Sequence, residues 1–283
     1  MSQSVIDLHI HVQPFHMLKP EVRETFWKGK TNRAELEGMA TNPALLLAHM
    51  DRECVERVGL INYVSPDVMG FTAECNDWML AFAGHAPDRF IPFGSVHPAF
   101  SASVGDDARR LVDRGIRAFK VHPPHQRFEC NAYLGPLPQL AELYAVAEES
   151  GLPVTIHTGT SIFPGARSRL GRPIDVDDVA VDFPKMTILL AHGGRPLWMD
   201  EAFFVVRRHP KVYLEISGIP PQRLLEWFPR IEEIAHKVVW GTDWPSPGVP
   251  SMRKNVEQFL ALPLSDETKR RILYDNAKAL LAR

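Results

Sequence analysis

The chain has 283 residues, of which 45% are hydrophobic and 23% are charged, which is enough to bury one large core or two modest ones. A formal net charge of -2 excludes the strong basic field that favours nucleic acid or an anionic membrane, so the expected partner is a small molecule. No run of ~18 apolar residues predicts a membrane span and no signal-peptide pattern is seen, so we expect a cytoplasmic protein. The sequence leaves homo-oligomer formation open.

Short β-branched runs alternate along the chain with longer amphipathic stretches, which is typical of a parallel sheet with crossover helices. Eight runs are predicted as strands, at residues 5–9, 59–64, 90–96, 116–122, 153–157, 187–191, 212–216 and 238–242. Eight strand and helix units match the usual size of a TIM barrel, about 250 residues. We therefore predict an α/β fold of the (β/α)8 TIM-barrel type. A doubly wound sheet is the alternative, but no GxGxxG turn follows the first strand.

The connecting segments carry helix signals. Asn42 and Pro43 pair an N-cap residue with proline at the first helical position, and we expect Gly59 to end that helix. Further helices are predicted at residues 73–84, 102–114, 137–150, 176–183, 198–208, 223–235, 252–262 and 266–282. The longest irregular stretch, residues 13–41, is a candidate lid or pocket wall. No linker divides the chain, so we expect one domain over residues 1–283.

Metal-binding or titratable residues lie at the ends of several predicted strands. His9 and His11 are two residues apart, so both side chains point to the same side of the first strand. On this spacing alone, a metal-binding pair and a structurally satisfied pair are both open. Later strand ends contribute Lys120, His122, His157, His192 and Asp243. In a barrel all these ends converge on one face, which predicts a site there.

Six motifs follow one another along nearly the whole chain: DLHIHVQP, FKVHPPHQ, VTIHTGTS, ILLAHGG, VVWGTDWP and YDNAKALL. With them the sequence resembles the amidohydrolase superfamily, in particular amidohydrolase family 2, the branch that contains aminocarboxymuconate semialdehyde decarboxylase and predicted TIM-barrel hydrolases. The resemblance implies that His9, His11, His157 and Asp243 bind a divalent metal ion. Nitrogen-rich ligation favours zinc.

The resemblance also implies catalytic roles. His192 would hold or activate the hydrolytic water and Asp243 would accept its proton. Lys120 has two interpretations: a carboxylated lysine that bridges two metal ions, or a cationic group for a substrate carboxylate or oxyanion. We favour one essential ion, with a second if Lys120 is carboxylated.

These residues predict a metal-dependent hydrolase that acts on a small, carboxylate-bearing or cyclic substrate through a metal-activated water. The alternative is a non-oxidative decarboxylase of the aminocarboxymuconate semialdehyde decarboxylase type. A third hypothesis, a barrel that binds without catalysis, is disfavoured because every expected ligand is present.

Four further residues have two open interpretations each. His97 and His122 could reach the pocket or be structural histidines bonded to loop backbone. Arg195 could pair with an anionic substrate or with a neighbouring loop. Trp244 could line the pocket or pack beneath a loop. The three cysteines lack CxxC spacing, which argues against a disulfide framework and against a thiolate zinc site.

Overall fold

Eight parallel strands form a barrel in the computed structural model, which describes residues 4–249 and 251–282. Each strand pairs with the next one in the chain, so the spatial order is the sequence order. The strands are β1 Ile6–Ile10, β2 Arg57–Leu60, β3 Phe90–Gly94, β4 Ala118–Val121, β5 Val154–His157, β6 Ile188–Ala191, β7 Val212–Glu215 and β8 Val238–Val239. The predicted (β/α)8 TIM barrel is confirmed.

The barrel closes between β1 and the segment around β8. The backbone N–H of Leu8 donates to the carbonyl of Trp240 at 3.0 Å, and the N–H of Asp243 donates to the carbonyl of His9 at 2.8 Å. Apart from two half-buried positions, every residue of the eight strands is buried, as expected for parallel strands covered on both faces.

Helices fill the connections between the strands. Their bounds are α1 Pro20–Trp27, α2 Arg33–Thr41, α3 Pro43–Glu53, α4 Glu74–Ala83, α5 Val104–Asp113, α6 Pro123–Gln126, α7 Leu140–Ser150, α8 Asp175–Asp182, α9 Met199–Arg208, α10 Leu224–Trp227, α11 Met252–Leu260, α12 Asp266–Arg270 and α13 Asn276–Leu281. Asn42 caps α3 as predicted, because its side-chain oxygen accepts the N–H of Ala44 at 3.1 Å. Within residues 4–249 and 251–282, no helix combines the length and the apolar character needed to cross a membrane.

Two local predictions were wrong. Gly59 does not end α3, which stops at Glu53 and is followed by Cys54 in a left-handed conformation. Gly59 lies inside β2, where an added Cβ would come within 2.2 Å of the carbonyl oxygen of Leu8. The predicted helix over residues 223–235 is broken after Trp227. Pro229, which has no backbone N–H to donate, lies at the break.

The segment predicted as irregular, residues 13–41, contains two helices, α1 and α2. Pro20 occupies the first turn of α1, where its missing N–H costs nothing. Gln13 and Phe26 from this segment line the cavity described below, so it does form part of the pocket wall.

Candidate active site

A cavity of about 340 Å³ opens at the C-terminal ends of the strands. Five of the predicted site residues line it: His9, His11, His157, His192 and Asp243. They come from the ends of β1 and β5 and from the loops after β1, β6 and β8. The barrel therefore brings together residues up to 234 positions apart in the chain, from His9 to Asp243.

The ring of His9 is held by a residue that the sequence analysis missed, Glu215 at the end of β7. The Nδ1 atom of His9 lies 2.6 Å from the Oε2 atom of Glu215, and both side chains are buried. Since a carboxylate only accepts, Nδ1 carries the hydrogen and the lone pair of Nε2 faces the cavity. Nε2 has no hydrogen-bond partner in the described part of the chain and lies 3.6 Å from the Oδ1 atom of Asp243.

His192 is oriented in the same way by backbone. Its Nδ1 atom lies 2.9 Å from the carbonyl oxygen of Ser217 and donates to it, which leaves the lone pair of Nε2 for the cavity. One ligand atom each from His9, His192 and Asp243 lie within 4.8 Å of one another. The structure therefore places His192 as near to His9 and Asp243 as a metal ligand would be.

Asp243 makes polar contacts with His11 and Arg195. Its Oδ1 atom lies 3.0 Å from Nε2 of His11, and its Oδ2 atom accepts a hydrogen bond from Arg195 at 3.1 Å. Asp243 and His192 both have a positive φ, 68° and 67°, which is costly for residues other than glycine. The surrounding structure stabilises this conformation and aims both side chains into the cavity.

His157 lies against this group without a polar contact. Both of its ring nitrogens are buried and have no hydrogen-bond partner within residues 4–249 and 251–282. Its ring centroid lies 4.5 Å from that of His192 and 3.9 Å from that of His122. A buried polar atom without a partner is costly, so a ligand of these nitrogens would remove a penalty.

The donor set fits a divalent metal ion. Nε2 of His9 and both ring nitrogens of His157 lack hydrogen-bond partners in the described residues, and the carboxylate of Asp243 lies 3.6 Å from Nε2 of His9. Burial lowers the pKa of His9, His157 and His192 well below the ordinary range, so the rings are neutral, as metal ligands must be. Burial alone would raise the pKa of Asp243, but the hydrogen bond and charge of His11 outweigh it and hold that pKa below its usual value.

Lys120 lies fully buried on β4 and does not line the cavity. Its Nζ atom has no hydrogen-bond partner in the described residues. Burial lowers the pKa of Lys120 to about 8, and burial raises the pKa of Glu215 to about 7. Lys120 thus forms part of the charged environment of His9, His157, His192 and Asp243, which we call the metal-type residues.

The secondary candidates divide between the cavity and the scaffold. His97 is structural, because its Nε2 donates to the carbonyl of Gln126 at 3.0 Å and its Nδ1 accepts the N–H of Ala99 at 3.2 Å. Trp244 is buried and stacks on His49 with ring centroids 4.7 Å apart. Arg195 lines the cavity, where it pairs with Asp243.

Glu215, Ser217 and Tyr63 are site residues that sequence reasoning missed. Glu215 carried the same signal as the residues that were found, a titratable group at a strand end. Ser217 and Tyr63 gave no such signal, because serine and tyrosine in loops have many ordinary roles. The hydroxyl of Ser217 lies 2.9 Å from Nδ1 of His192 and 3.1 Å from Nδ1 of His9, and so bridges the two rings.

Solved structures with the same fold span nearly the whole chain. An uncharacterised TIM-barrel protein from Bordetella bronchiseptica is 24% identical, with a TM-score of 0.75 and with 99% of this chain and 98% of that chain covered. A probable 2-pyrone-4,6-dicarboxylic acid hydrolase from Acinetobacter baumannii, with citric acid bound, is 16% identical, with a TM-score of 0.67 and 99% of both chains covered.

A third similar structure is 5-carboxyvanillate decarboxylase from Novosphingobium aromaticivorans, in complex with manganese and 4-hydroxy-3-methoxy-5-nitrobenzoic acid. It is 14% identical, with a TM-score of 0.66 and with 99% of this chain and 96% of that chain covered. Comparison with curated proteins finds no match. The family model described as amidohydrolase matches residues 6–283, and the chain therefore belongs to the amidohydrolase family.

Proposed function

We propose that this protein is a metal-dependent hydrolase of a small, carboxylate-bearing or cyclic substrate. The observation that carries the proposal is a group of buried ring nitrogens, Nε2 of His9 and both nitrogens of His157, that lack hydrogen-bond partners in the described chain. They belong to a cavity that Asp243 also lines. His11 would complete the ligand set, as the family resemblance implies. When bound, a divalent ion lowers the pKa of a water molecule and polarises a carbonyl oxygen.

The proposed metal is zinc, because the ligand set is rich in nitrogen. Manganese is the alternative, since the decarboxylase of the same fold holds that ion. One ion per chain is the preferred stoichiometry. Carboxylation of Lys120 would provide for a second.

His192 is the proposed general base. Its Nδ1–H is fixed on the carbonyl of Ser217, so the opposite nitrogen can take a proton from the attacking water. Asp243 shares this role through its carboxylate. Lys120 is buried and does not line the cavity, so we assign it an electrostatic role through the charges of Glu215 and Asp243 rather than contact with substrate.

Arg195 is the proposed receptor for a substrate carboxylate. Its Nε donates to the carbonyl of Gly218 at 2.7 Å and one Nη donates to Asp243, which fixes the plane of the guanidinium at the cavity wall. A planar guanidinium binds a carboxylate through two parallel hydrogen bonds. The names of the similar hydrolase and decarboxylase refer to carboxylated substrates, which supports this substrate class.

A non-oxidative decarboxylase is the second candidate, favoured by the fixed cation Arg195 beside His192. In this reaction the carbon–carbon bond to the carboxylate breaks, carbon dioxide leaves, and the electron pair left on carbon takes a proton from a water molecule, which becomes hydroxide; the lone pair on Nε2 of His192 can hold that water by accepting its other hydrogen. Carbon dioxide among the products would identify this reaction, and its absence with consumption of water would identify hydrolysis.

The test combines elemental analysis with turnover of a panel of lactones and aromatic carboxylates. We expect about one divalent ion per chain in the wild type, loss of the ion in His157→Ala, and loss of turnover with the ion retained in His192→Asn. His85→Asn is the matched control, because His85 is exposed on the outer surface. A wild-type protein without metal, or full turnover in His192→Asn, would contradict the proposal. Two ions together with added mass on Lys120 would show a binuclear site.

A further inference from the structure

A chain of three polar side chains forms the cavity wall away from Asp243. Tyr63 lies in the loop after β2, His125 in α6 and Ser161 in the loop after β5, and all three line the cavity. The hydroxyl of Tyr63 lies 2.7 Å from Nδ1 of His125. The opposite nitrogen, Nε2, lies 2.6 Å from Oγ of Ser161.

The direction of these hydrogen bonds follows from the burial of Tyr63. This residue is 2% exposed, and His125 is the one hydrogen-bond partner of its hydroxyl among the described residues. A buried O–H without an acceptor is costly, so Tyr63 donates to Nδ1. Burial lowers the pKa of His125 to about 3, so the ring is neutral and carries a single N–H. That N–H is then on Nε2 and donates to Ser161.

The Ser161 oxygen therefore receives hydrogen bonds and keeps its own hydrogen for another acceptor. Besides His125, the backbone N–H of Phe163 approaches Oγ of Ser161 at 3.3 Å. With His125 and Phe163 both donating to Oγ, the Ser161 hydroxyl hydrogen has no acceptor among the described residues. Ser161 is half-buried at the cavity wall, so a ligand in the cavity can accept that hydrogen.

Ser161 and the metal-type residues lie at opposite ends of a stack of imidazoles. The rings of His125 and His122 are 3.7 Å apart and nearly parallel, and those of His122 and His157 are 3.9 Å apart. The two outer rings, of His125 and His157, are 6.3 Å apart. Two imidazole rings, those of His125 and His122, therefore lie between Ser161 and His157.

We propose that Ser161 is a specificity-determining anchor that donates a hydrogen bond to an oxygen at the end of the substrate remote from the reacting group, with His125 and Tyr63 as its positioning residues. The substrate class is then a compact molecule with two oxygen-bearing ends, such as a ring with two carboxylates. The inference rests on the proposed function in one respect, because the metal-type residues define the reacting end.

The test measures dissociation constants of two probes on the metal-loaded full chain by titration calorimetry. Benzene-1,3-dicarboxylate has both ends, and benzoate lacks the second one. We expect the wild type to prefer the dicarboxylate, and Ser161→Ala to weaken its binding about tenfold while benzoate changes less than about twofold. Ser161→Thr keeps the hydroxyl and should restore most of the preference.

Tyr63→Phe separates the anchor from a merely structural role. Without the phenol, the His125 ring can carry its hydrogen on Nδ1 and accept a hydrogen bond at Nε2 from Ser161. The hydroxyl hydrogen of Ser161 is then no longer reserved for the substrate. We expect an intermediate loss, roughly threefold, for the dicarboxylate alone. Equal weakening of both probes would indicate loss of structure and would overturn the proposal.

A wild type without preference for the dicarboxylate, or Ser161→Ala with the preference intact, would likewise overturn it. Metal content and turnover are measured on the same samples. Their absence together with an intact probe preference would contradict the proposed hydrolase function and leave the anchor standing.

Discussion

At the scale of single residues, the orientation of the His9 ring depends on Glu215. The two carboxylate oxygens of Glu215 receive three donors: Nδ1–H of His9 at 2.6 Å, the hydroxyl of Ser217 at 3.0 Å and the backbone N–H of Ser217 at 2.7 Å. An acceptor with no hydrogen of its own satisfies all three. Because Nδ1 then carries the hydrogen, Nε2 is available as a metal ligand.

We predict that Glu215→Gln weakens metal binding although the side chain keeps its shape. The amide group must point its N–H at Ser217 or at His9, and in the second case His9 moves its hydrogen to Nε2, where a metal ion would bind. We expect metal affinity to be about 10–100-fold weaker, as is usual when a group that orients a metal ligand is lost. Competition with a chromogenic chelator measures it.

Glu226→Gln is the matched control for this substitution. Glu226 is exposed and pairs with Arg223 on the outer surface, so its loss should leave metal affinity unchanged. Unchanged metal affinity in Glu215→Gln would refute the orienting role of Glu215.

At the scale of elements, the candidate site depends on close approach of the segment after β8 to β1 and β7. Asp7 in β1 accepts hydrogen bonds from the hydroxyl of Thr242 at 2.6 Å and from its N–H at 2.9 Å. Gly241 lies at the same place, where an added Cβ would come within 2.5 Å of Glu215 Oε1 and 2.8 Å of His9 Cβ. Glycine is therefore required by the contact between three elements.

We predict that Gly241→Ala lowers the free energy of unfolding by about 1–3 kcal/mol, the usual cost of overpacking. It should also lower metal occupancy, because the added methyl group displaces the oxygens that hold His9. Urea unfolding followed by circular dichroism measures the first effect, and elemental analysis the second.

Gly38→Ala provides the comparison. Gly38 lies inside α2, and an added Cβ would meet only Leu45 at an ordinary 3.5 Å, so we expect no loss and up to about 1 kcal/mol of gain from helix propensity. If Gly241→Ala and Gly38→Ala change the free energy of unfolding and the metal occupancy equally, the prediction that Gly241 is required by its close contacts is contradicted.

At the scale of the whole molecule, buried neutral histidines make stability depend on pH. His97 joins the loop after β3 to the carbonyl of Gln126 at the end of α6. Burial lowers its pKa, and the opposing effects of the Gln126 carbonyl and the Asp67 charge do not cancel that shift. The unfolded chain therefore binds a proton at His97 at a higher pH than the folded chain.

We predict that this contribution to stability is complete above the unfolded pKa, about 6.5, and is lost as the pH falls towards the lower folded pKa. His97→Gln keeps a donor for the carbonyl of Gln126 but cannot titrate. Its free energy of unfolding should therefore fall less steeply than that of the wild type between about pH 6.5, the unfolded pKa, and about pH 5. Urea titrations of both proteins in the same metal state measure the slopes, and equal slopes would contradict the prediction.

The sequence by itself determined the barrel and several residues of the cavity wall. Eight apolar runs with helices between them predict the fold because buried parallel strands need apolar residues on both faces. The histidines and Asp243 were found because a titratable residue at the end of such a run is unusual. The exact strand ends were missed, as at β2 and β8, because apolar residues continue into buried loops.

Only the tertiary structure decided which nitrogen of each histidine faces the cavity and which residues hold it there. Glu215 and Ser217 touch His9 across more than 200 positions of sequence, and Tyr63 touches His125 across 62. Short-range sequence patterns do not predict such contacts, because the contacts depend on how the strands pack around the barrel. The proton positions that give the candidate site its chemistry follow from those contacts.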